Sequence, residues 1–254
     1  MTASVRDQTH SRLIAGIRIA GLIGLFLVYL PPHLLSKLLL RRSRWPGRFL
    51  FAAGRIAGVR PRAIGNPLQP HTLVVANHTS WLDILILGGS VGTAFVSKAE
   101  LERTMLLGWL ADQNRTLYIE RAERGDAHGQ VARIAEALEH PQPLSVFPEG
   151  TTGDGRHLLP FRSTLLHAVA PPPPGVTVRP VAIDYGEHVD TVGWHSGERG
   201  VANALRVMGR WGSMEVTVRL LDPLPPSSDR KALARQARAA IAAALSSLAH
   251  PHGL

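Results

Sequence analysis

The first forty residues constrain the fold most, because they carry two apolar stretches separated by a pair of prolines. The first stretch, residues 13–30, reads LIAGIRIAGLIGLFLVYL and contains one charge, Arg18. It stops at Pro31 and Pro32, where a helix is expected to end because proline lacks a backbone N–H and clashes with the preceding turn. The second stretch, HLLSKLLL at residues 33–40, precedes a cluster of arginines. The pattern predicts two short N-terminal helices.

The uninterrupted part of the first stretch is short for a membrane span. Residues 19–30 would extend about 18 Å as a helix, whereas the hydrocarbon core of a bilayer is roughly 30 Å thick. Extension back to residue 13 would reach across if Arg18 snorkels to the surface. Two short helices followed by arginines also suit a segment embedded in one leaflet, which we favour. A cleaved signal peptide is the weaker alternative, since no small-residue cleavage site precedes the second stretch.

Charge and composition narrow the classes of function. The 254 residues include 28 Lys and Arg against 19 Asp and Glu, a net charge of +9, which attracts phosphate in nucleic acid, lipid or cofactor. No nucleic-acid-binding motif accompanies this charge, and the 5 Trp, 3 Tyr and 6 Phe are not interleaved with a basic stripe, so no nucleic-acid partner is expected. The absence of Cys excludes disulfides, thiolate nucleophiles and Cys-based zinc sites.

Beyond residue 60 the sequence alternates between strand and helix patterns. Short apolar runs predict strands at 72–76, 94–96, 116–119, 144–147, 177–184 and 214–220. Helical patterns occur at 81–87, 98–111, 125–138 and 229–248, and residues 61–70 are predicted to form a loop. This rhythm predicts an α/β fold with a mixed central sheet flanked by helices. We expect an N-terminal membrane-associated segment at residues 1–60 and an α/β domain at residues 61–254.

A histidine and an aspartate follow the first of these strands. His78 and Asp83 lie five positions apart, immediately beyond residues 72–76. Functional residues collect at strand ends, and an imidazole oriented by a carboxylate can take a proton from an alcohol near neutral pH. Ser80 and Asp83 also match a helix capping box, which would explain Asp83 without chemistry. The segment therefore predicts either a general base or a helix start.

Three further segments are less informative when taken singly. The FPEGTTG run at 147–153 can cradle an anion with backbone N–H groups, although a plain glycine-rich loop has the same composition. Arg121 and Arg124 follow the strand at 116–119, where a guanidinium can bind phosphate, but most such arginines are merely solvated. Pro180 lies inside the strand 177–184, which predicts an edge or entry position.

The joint order of these segments resembles the glycerolipid acyltransferase family typified by lysophosphatidate acyltransferases. The resemblance covers roughly residues 72–224 and rests on four blocks. These are Asn77, His78 and Asp83; Tyr118 and Arg121; Phe147, Pro148, Glu149, Gly150 and Thr151; and Pro180 and Val181. Two positions depart from the family pattern, because Arg115 replaces a glycine and Arg162 replaces a lysine. The first departure puts the identity of the acceptor in doubt. The second keeps a positively charged side chain at position 162.

The resemblance implies that His78 deprotonates an acceptor hydroxyl, that Asp83 orients the imidazolium, and that the alkoxide attacks a thioester directly. The implied substrate-binding residues are Asn77, Tyr118, Arg121, Phe147, Glu149, Gly150, Thr151, Arg162 and Pro180. The implied donor is acyl-CoA or acyl carrier protein. The implied acceptor is lysophosphatidic acid, giving phosphatidic acid in phospholipid biosynthesis, with lyso-ornithine lipid or another lysophospholipid as the alternative. No cofactor or metal is expected, and the expected location is the cytoplasmic face of the inner (plasma) membrane.

Two rival functions have weaker support. A serine hydrolase would use the GGSVG run at 88–92, but a nucleophile elbow needs a strand before the serine and a helix after it, and the prediction here is the reverse. A non-catalytic membrane-interaction protein is the second alternative, and the intact His78 and Asp83 argue against it. A metal site is not predicted, because the scattered histidines lack the spacing of metal ligands. These histidines are His157, His167, His188 and His195.

Overall fold

The computed structural model describes residues 11–41, 43–119, 127–195 and 197–246. Within these residues, seven strands form one sheet: β1 Val59–Ile64, β2 Thr72–Ala76, β3 Ala94–Lys98, β4 Leu117–Ile119, β5 Leu144–Val146, β6 Thr177–Asp184 and β7 Met214–Leu220. Their spatial order is β1-β7-β6-β2-β5-β3-β4, and each neighbouring pair is parallel except β6 and β7. The predicted mixed sheet is therefore confirmed.

Helices cover both faces of this sheet. They are α1 Arg12–Leu40, α2 Trp45–Ile56, α3 Leu82–Ile86, α4 Ala99–Glu102, α5 Met105–Gln113, α6 Ala127–Leu138, α7 Val189–Val192, α8 Gly200–Gly209 and α9 Arg230–Ser246. A π turn, Leu87–Val91, continues α3, and 3-10 turns lie at Thr164–Val169 and Gly186–His188. The core on one face includes residues of α1, α3 and α8, whereas the core on the other face includes residues of α6 and α9.

The predicted break at the prolines is wrong, because α1 continues from Arg12 to Leu40 through Pro31 and Pro32. Contacts on both sides of the prolines hold the helix. The Tyr29 ring packs edge-on against Trp45 with centroids 5.5 Å apart, and the His33 imidazole lies 2.8 Å from Ser43 Oγ and 2.9 Å from Gln113 Oε1. Packing against α2 and α5 thus overrides the local preference to end the helix.

Helix α1 lies against the α/β part of the chain at both ends. The backbone N–H of Ser11 donates to Gly209 O at 3.0 Å, and the Arg18 guanidinium donates to Met208 O at 2.9 Å and to Gly212 O at 2.6 Å. Near the other end, His33 bonds Gln113 of α5. Arg18 therefore does not extend to a membrane surface as snorkelling would require, because its charge is held by carbonyls at the end of α8.

Two predictions about proline-containing strands are also corrected. The predicted loop at 61–70 begins instead with β1, an edge strand, where the missing N–H of Pro61 is tolerated. Pro180 does not lie at an edge, because β6 is flanked by β2 and β7. Its carbonyl accepts from Leu221 N at 3.1 Å. The pairing of β6 with β7 begins one residue later, where Val181 lies opposite Leu220. The missing N–H of Pro180 is on the side of the strand that faces Leu221, beyond the end of β7, so no hydrogen bond between β6 and β7 is lost.

Candidate functional site

The end of β2 and the start of α3 bring His78 and Asp83 together. His78 Nδ1 lies 2.8 Å from Asp83 Oδ2. The Asp83 side chain is completely buried, whereas 18% of the His78 side chain is exposed. The His78 ring stacks on Phe147 with centroids 4.0 Å apart and planes 17° apart. A buried carboxylate and an aromatic ring thus fix one edge and one face of the imidazole.

Asp83 accepts hydrogen bonds on both carboxylate oxygens. Besides His78, Oδ2 accepts from the backbone N–H groups of Thr79 at 2.9 Å and Ser80 at 3.0 Å, and Oδ1 accepts from the Tyr185 hydroxyl at 2.5 Å. An ionised carboxylate suits these donors, so the contact with Asp83 favours the imidazole tautomer that has its hydrogen on Nδ1 and its acceptor at Nε2. Asp83 therefore has two roles: it accepts from backbone N–H groups just before α3, and it orients the His78 imidazole.

Glu149 anchors the backbone of His78. Its Oε1 accepts from His78 N at 2.7 Å, and its Oε2 accepts from Leu159 N at 3.0 Å. The side chain is buried, and this burial raises the pKa of the Glu149 carboxyl. Because both oxygens are used within the protein, the structure gives Glu149 a contact that positions the backbone of His78.

Some residues for which the family resemblance implied substrate binding are buried or form hydrogen bonds within the protein. The Asn77 amide exchanges two hydrogen bonds with the backbone of Ile183, at 2.9 and 2.8 Å, and so joins the ends of β2 and β6. The Tyr118 hydroxyl donates to Gly108 O at 2.9 Å. Pro180 is buried in the sheet. Their roles in binding substrate stay predictions.

Arg162 contributes a cation beside the loop that follows β5. Its guanidinium nitrogen Nη1 lies 3.4 Å from the place where a Cβ on Gly150 would sit. The side chain is exposed, and among the described residues its guanidinium forms no hydrogen bond or ion pair. Gly150 has a φ of 73°, a left-handed conformation that glycine adopts without strain. An anionic group could therefore approach both the cation and the loop.

A cavity of about 1110 Å³ extends from His78 to the N-terminal helices. The end near His78 is also lined by Phe147, Gly150, Thr151 and Arg162. Its walls include five aromatic side chains from α1, α2 and α5, namely Phe26, Tyr29, Trp45, Phe49 and Trp109. Large apolar cavities with few convergent polar groups are typical of ligand sites. This one has space and chemistry for a long apolar chain whose reactive end meets His78.

Some predicted residues lie elsewhere. Arg121 and Arg124 fall outside the described residues. Arg115 has a φ of 60°, so the position where the family has glycine is a left-handed turn. Sequence reasoning missed Tyr185 and the aromatic wall. Tyr185 follows directly after β6, and since β2 and β6 are parallel neighbours, a polar aromatic at that end was the available signal.

Comparisons with known proteins agree with this geometry. A model of the family described as Acyltransferase matches residues 61–184. The chain is 36% identical to the lyso-ornithine lipid O-acyltransferase of Pseudomonas aeruginosa over 94% of this chain and 95% of that protein. It is 34% identical to the 1-acyl-sn-glycerol-3-phosphate acyltransferase of Neisseria gonorrhoeae over 48% of each.

A solved structure shares the fold. The crystal structure of the 1-acyl-sn-glycerophosphate acyltransferase PlsC from Thermotoga maritima superposes with a TM-score of 0.71, covering 96% of this chain and 98% of that one at 20% identity. The resemblance inferred from the four sequence blocks is confirmed by the full-length relative and by the family model. The chain belongs to the acyltransferase family.

Proposed function

We propose that this enzyme transfers a fatty acyl group from a thioester to the free hydroxyl of a single-chain lipid, with lyso-ornithine lipid as the first candidate acceptor. The observation that carries the proposal is the open Nε2 of His78, held by Asp83 at the end of a large apolar cavity. The choice of acceptor is supported by the Pseudomonas aeruginosa relative, which aligns over almost the entire chain.

The geometry suits direct transfer. His78 Nε2 accepts the proton of the acceptor hydroxyl as the hydroxyl oxygen attacks the thioester carbonyl carbon. A C–O bond forms, the C–S bond breaks, and the departing thiolate takes the proton back from the imidazolium. Asp83 stabilises the imidazolium while it exists. The chain has no Cys, and the pathway needs no covalent acyl-enzyme.

The apolar cavity is evidence for a substrate with a long acyl chain. Aromatic side chains of α1, α2 and α5 provide an apolar wall that would shield the chain from water. Leu107 both lines the cavity and is 52% exposed, so the cavity reaches the surface beside α5. Met105 and Leu106 next to it are also exposed. A lipid could therefore enter sideways from a bilayer.

Arg162 is the proposed contact for an anionic group of the acceptor. A guanidinium binds carboxylate or phosphate in a two-pronged geometry, so it suits the ornithine carboxylate and a lysophosphatidate phosphate. Lysophosphatidic acid is the second candidate, giving phosphatidic acid, because the Neisseria gonorrhoeae relative carries that activity in its name. The donor would be acyl-CoA or acyl carrier protein.

The attachment of α1 favours one leaflet of the bilayer. The helix is long and apolar enough to cross a membrane, but it is hydrogen-bonded to the α/β part through Ser11, Arg18 and His33. Its outward stripe consists of exposed apolar side chains, including Leu13, Ile17, Ile23, Leu27, Leu34, Leu35, Leu38 and Leu39. A helix fixed to the domain at both ends would lie along the membrane surface. Arginines after α1 favour the cytoplasmic side.

An acceptor panel tests the proposal. Purified enzyme in mixed micelles receives labelled acyl-CoA or acyl carrier protein together with lyso-ornithine lipid, lysophosphatidic acid or lysophosphatidylcholine. The expected result is transfer to lyso-ornithine lipid with the highest kcat/KM. Preference for lysophosphatidic acid would select the second candidate, and transfer to none of them would contradict the proposed function.

A further inference from the structure

We propose that the membrane-contacting surface extends from α1 onto α8 and the turn after it, with Trp211 seated in the bilayer interface. The inference rests on the one-leaflet attachment proposed above and adds a part of the α/β domain to it. The occupant is the lipid bilayer itself.

Three large apolar side chains on this part of the domain are open to solvent. Val201 is 75% exposed, Leu205 is 48% exposed, and Trp211 is 74% exposed. Val201 and Leu205 are four residues apart, so they share one side of α8. The neighbouring Val207 and Met208 are buried in the core. The helix therefore has one apolar side that packs and another that is left uncovered.

The turn that carries Trp211 is fixed beside the exposed stripe of α1. Ser11 N bonds Gly209 O on one side of Trp211, and the Arg18 guanidinium bonds Gly212 O on the other. These bonds place the turn against the first two turns of α1. Leu13 and Ile17, which are 73% and 62% exposed, lie on those same turns. The uncovered side of α8 thus belongs to a helix that packs directly against the helix carrying the exposed stripe.

Two guanidinium groups, the buried one of Arg210 and the half-buried one of Arg18, bond to the turn and its surroundings. Arg210 donates from Nη2 to Ala57 O at 3.1 Å and to Gly58 O at 2.7 Å, and Arg18 donates to carbonyls on either side of Arg210. Hydrogen bonds from ionised donors are stronger than neutral ones, so these bonds hold the turn that carries Trp211 against α1 and against the segment after α2.

The chemistry of the surface favours lipid over a protein partner. Its apolar residues continue the stripe that runs along the whole of α1, and tryptophan is enriched where a bilayer meets water. Exposed Arg12 at the start of α1 adds a positive charge that would attract anionic head groups. A protein partner would have to cover both the stripe and α8, whereas a bilayer covers both without a matching shape.

The absence of cysteine makes a clean experiment available, because any single Cys variant carries one label. A Trp211→Cys variant, labelled with the environment-sensitive dye NBD, is mixed with vesicles of phosphatidylethanolamine and phosphatidylglycerol. We expect its emission to rise and to shift to shorter wavelength. Leu27→Cys on α1 is the positive reference. Ala239→Cys, exposed on α9 across the sheet, is the matched control and should not change.

The reference separates this inference from the attachment of α1. If Leu27→Cys reports lipid and Trp211→Cys does not, the extension onto α8 is wrong while the attachment of α1 stands. If neither variant reports lipid, the attachment of α1 and its extension onto α8 are both wrong. A Trp211→Glu variant should also bind vesicles more weakly than wild type, while its transfer rate in detergent micelles stays at the wild-type value. Unchanged vesicle binding by that variant would overturn the inference.

Discussion

Tyr185 donates its phenolic hydrogen to Oδ1 of Asp83 across 2.5 Å, although the two residues are 102 positions apart in the sequence. The other carboxylate oxygen contacts His78, so three side chains form a hydrogen-bonded line from His78 to the interior of the protein. Burial and the neighbouring carboxylate raise the pKa of the Tyr185 hydroxyl well above its ordinary value. Tyr185 therefore stays protonated and acts as a donor that positions Asp83.

Replacing Tyr185 with Phe should reduce kcat by about tenfold or more, because Asp83 loses the donor that holds its carboxylate, and with it the His78 ring, in position. Asp83 would then stabilise the His78 imidazolium more strongly. The acid limb of the kcat/KM profile should therefore move to higher pH. A Tyr185→Phe enzyme with lower stability and an unmoved pH profile would indicate a structural role alone.

Glu149→Gln separates a positioning role from a substrate-binding one. The amide keeps one oxygen acceptor, so only one of the N–H groups of His78 and Leu159 retains its partner. We expect kcat to fall by about tenfold while the acceptor KM stays near the wild-type value. A raised acceptor KM with unchanged kcat would place Glu149 in the acceptor site instead, as the family resemblance implied.

Arg162→Gln should raise the acceptor KM by about tenfold, because a charge-assisted hydrogen bond contributes about 1.5–3 kcal/mol. Arg162→Lys keeps the charge without the planar fork and should be intermediate. Steady-state kinetics with acceptor and donor varied in turn measures the effect. A change confined to the donor KM would show that the acceptor and donor positions are reversed.

Arg18→Met should loosen α1 from the α/β domain. The variant loses two charge-assisted hydrogen bonds to Met208 O and Gly212 O, so the free energy of unfolding should fall by about 2 kcal/mol. Denaturant unfolding in detergent measures the change. Arg12→Met removes an exposed charge from the same helix and serves as the control. Equal stability of both variants would contradict the docking of Arg18.

Most of the fold was predictable because the strands are short, apolar and regularly spaced. β2, β6 and β7 have the bounds that the sequence predicts. Helix α8 was missed, and the predicted helix at 98–111 is divided into α4 and α5. Prolines caused two further errors. Local rules end a helix at Pro31 and exclude a strand at Pro61, whereas contacts of Tyr29 and His33 sustain α1, and an edge position accommodates β1. Such contacts are long-range, and no local pattern encodes them.

The candidate site was predictable where its residues are close in sequence. His78 and Asp83 could be paired because one segment carries both. The contact between Glu149 and His78 N joins two loops 71 positions apart, and its effect on the base follows only from the parallel arrangement of β2 and β5. The aromatic wall combines α1, α2 and α5, whose proximity no motif specifies.

The most direct test of the account is the rate of acyl transfer to lyso-ornithine lipid by His78→Ala, compared with wild type and with His157→Ala. His157 is exposed and does not line the cavity. General base catalysis contributes about 10²–10⁴-fold, so His78→Ala should lose at least a hundredfold in rate while His157→Ala stays at the wild-type rate. A near-normal rate for His78→Ala would contradict the assignment of His78 as the base.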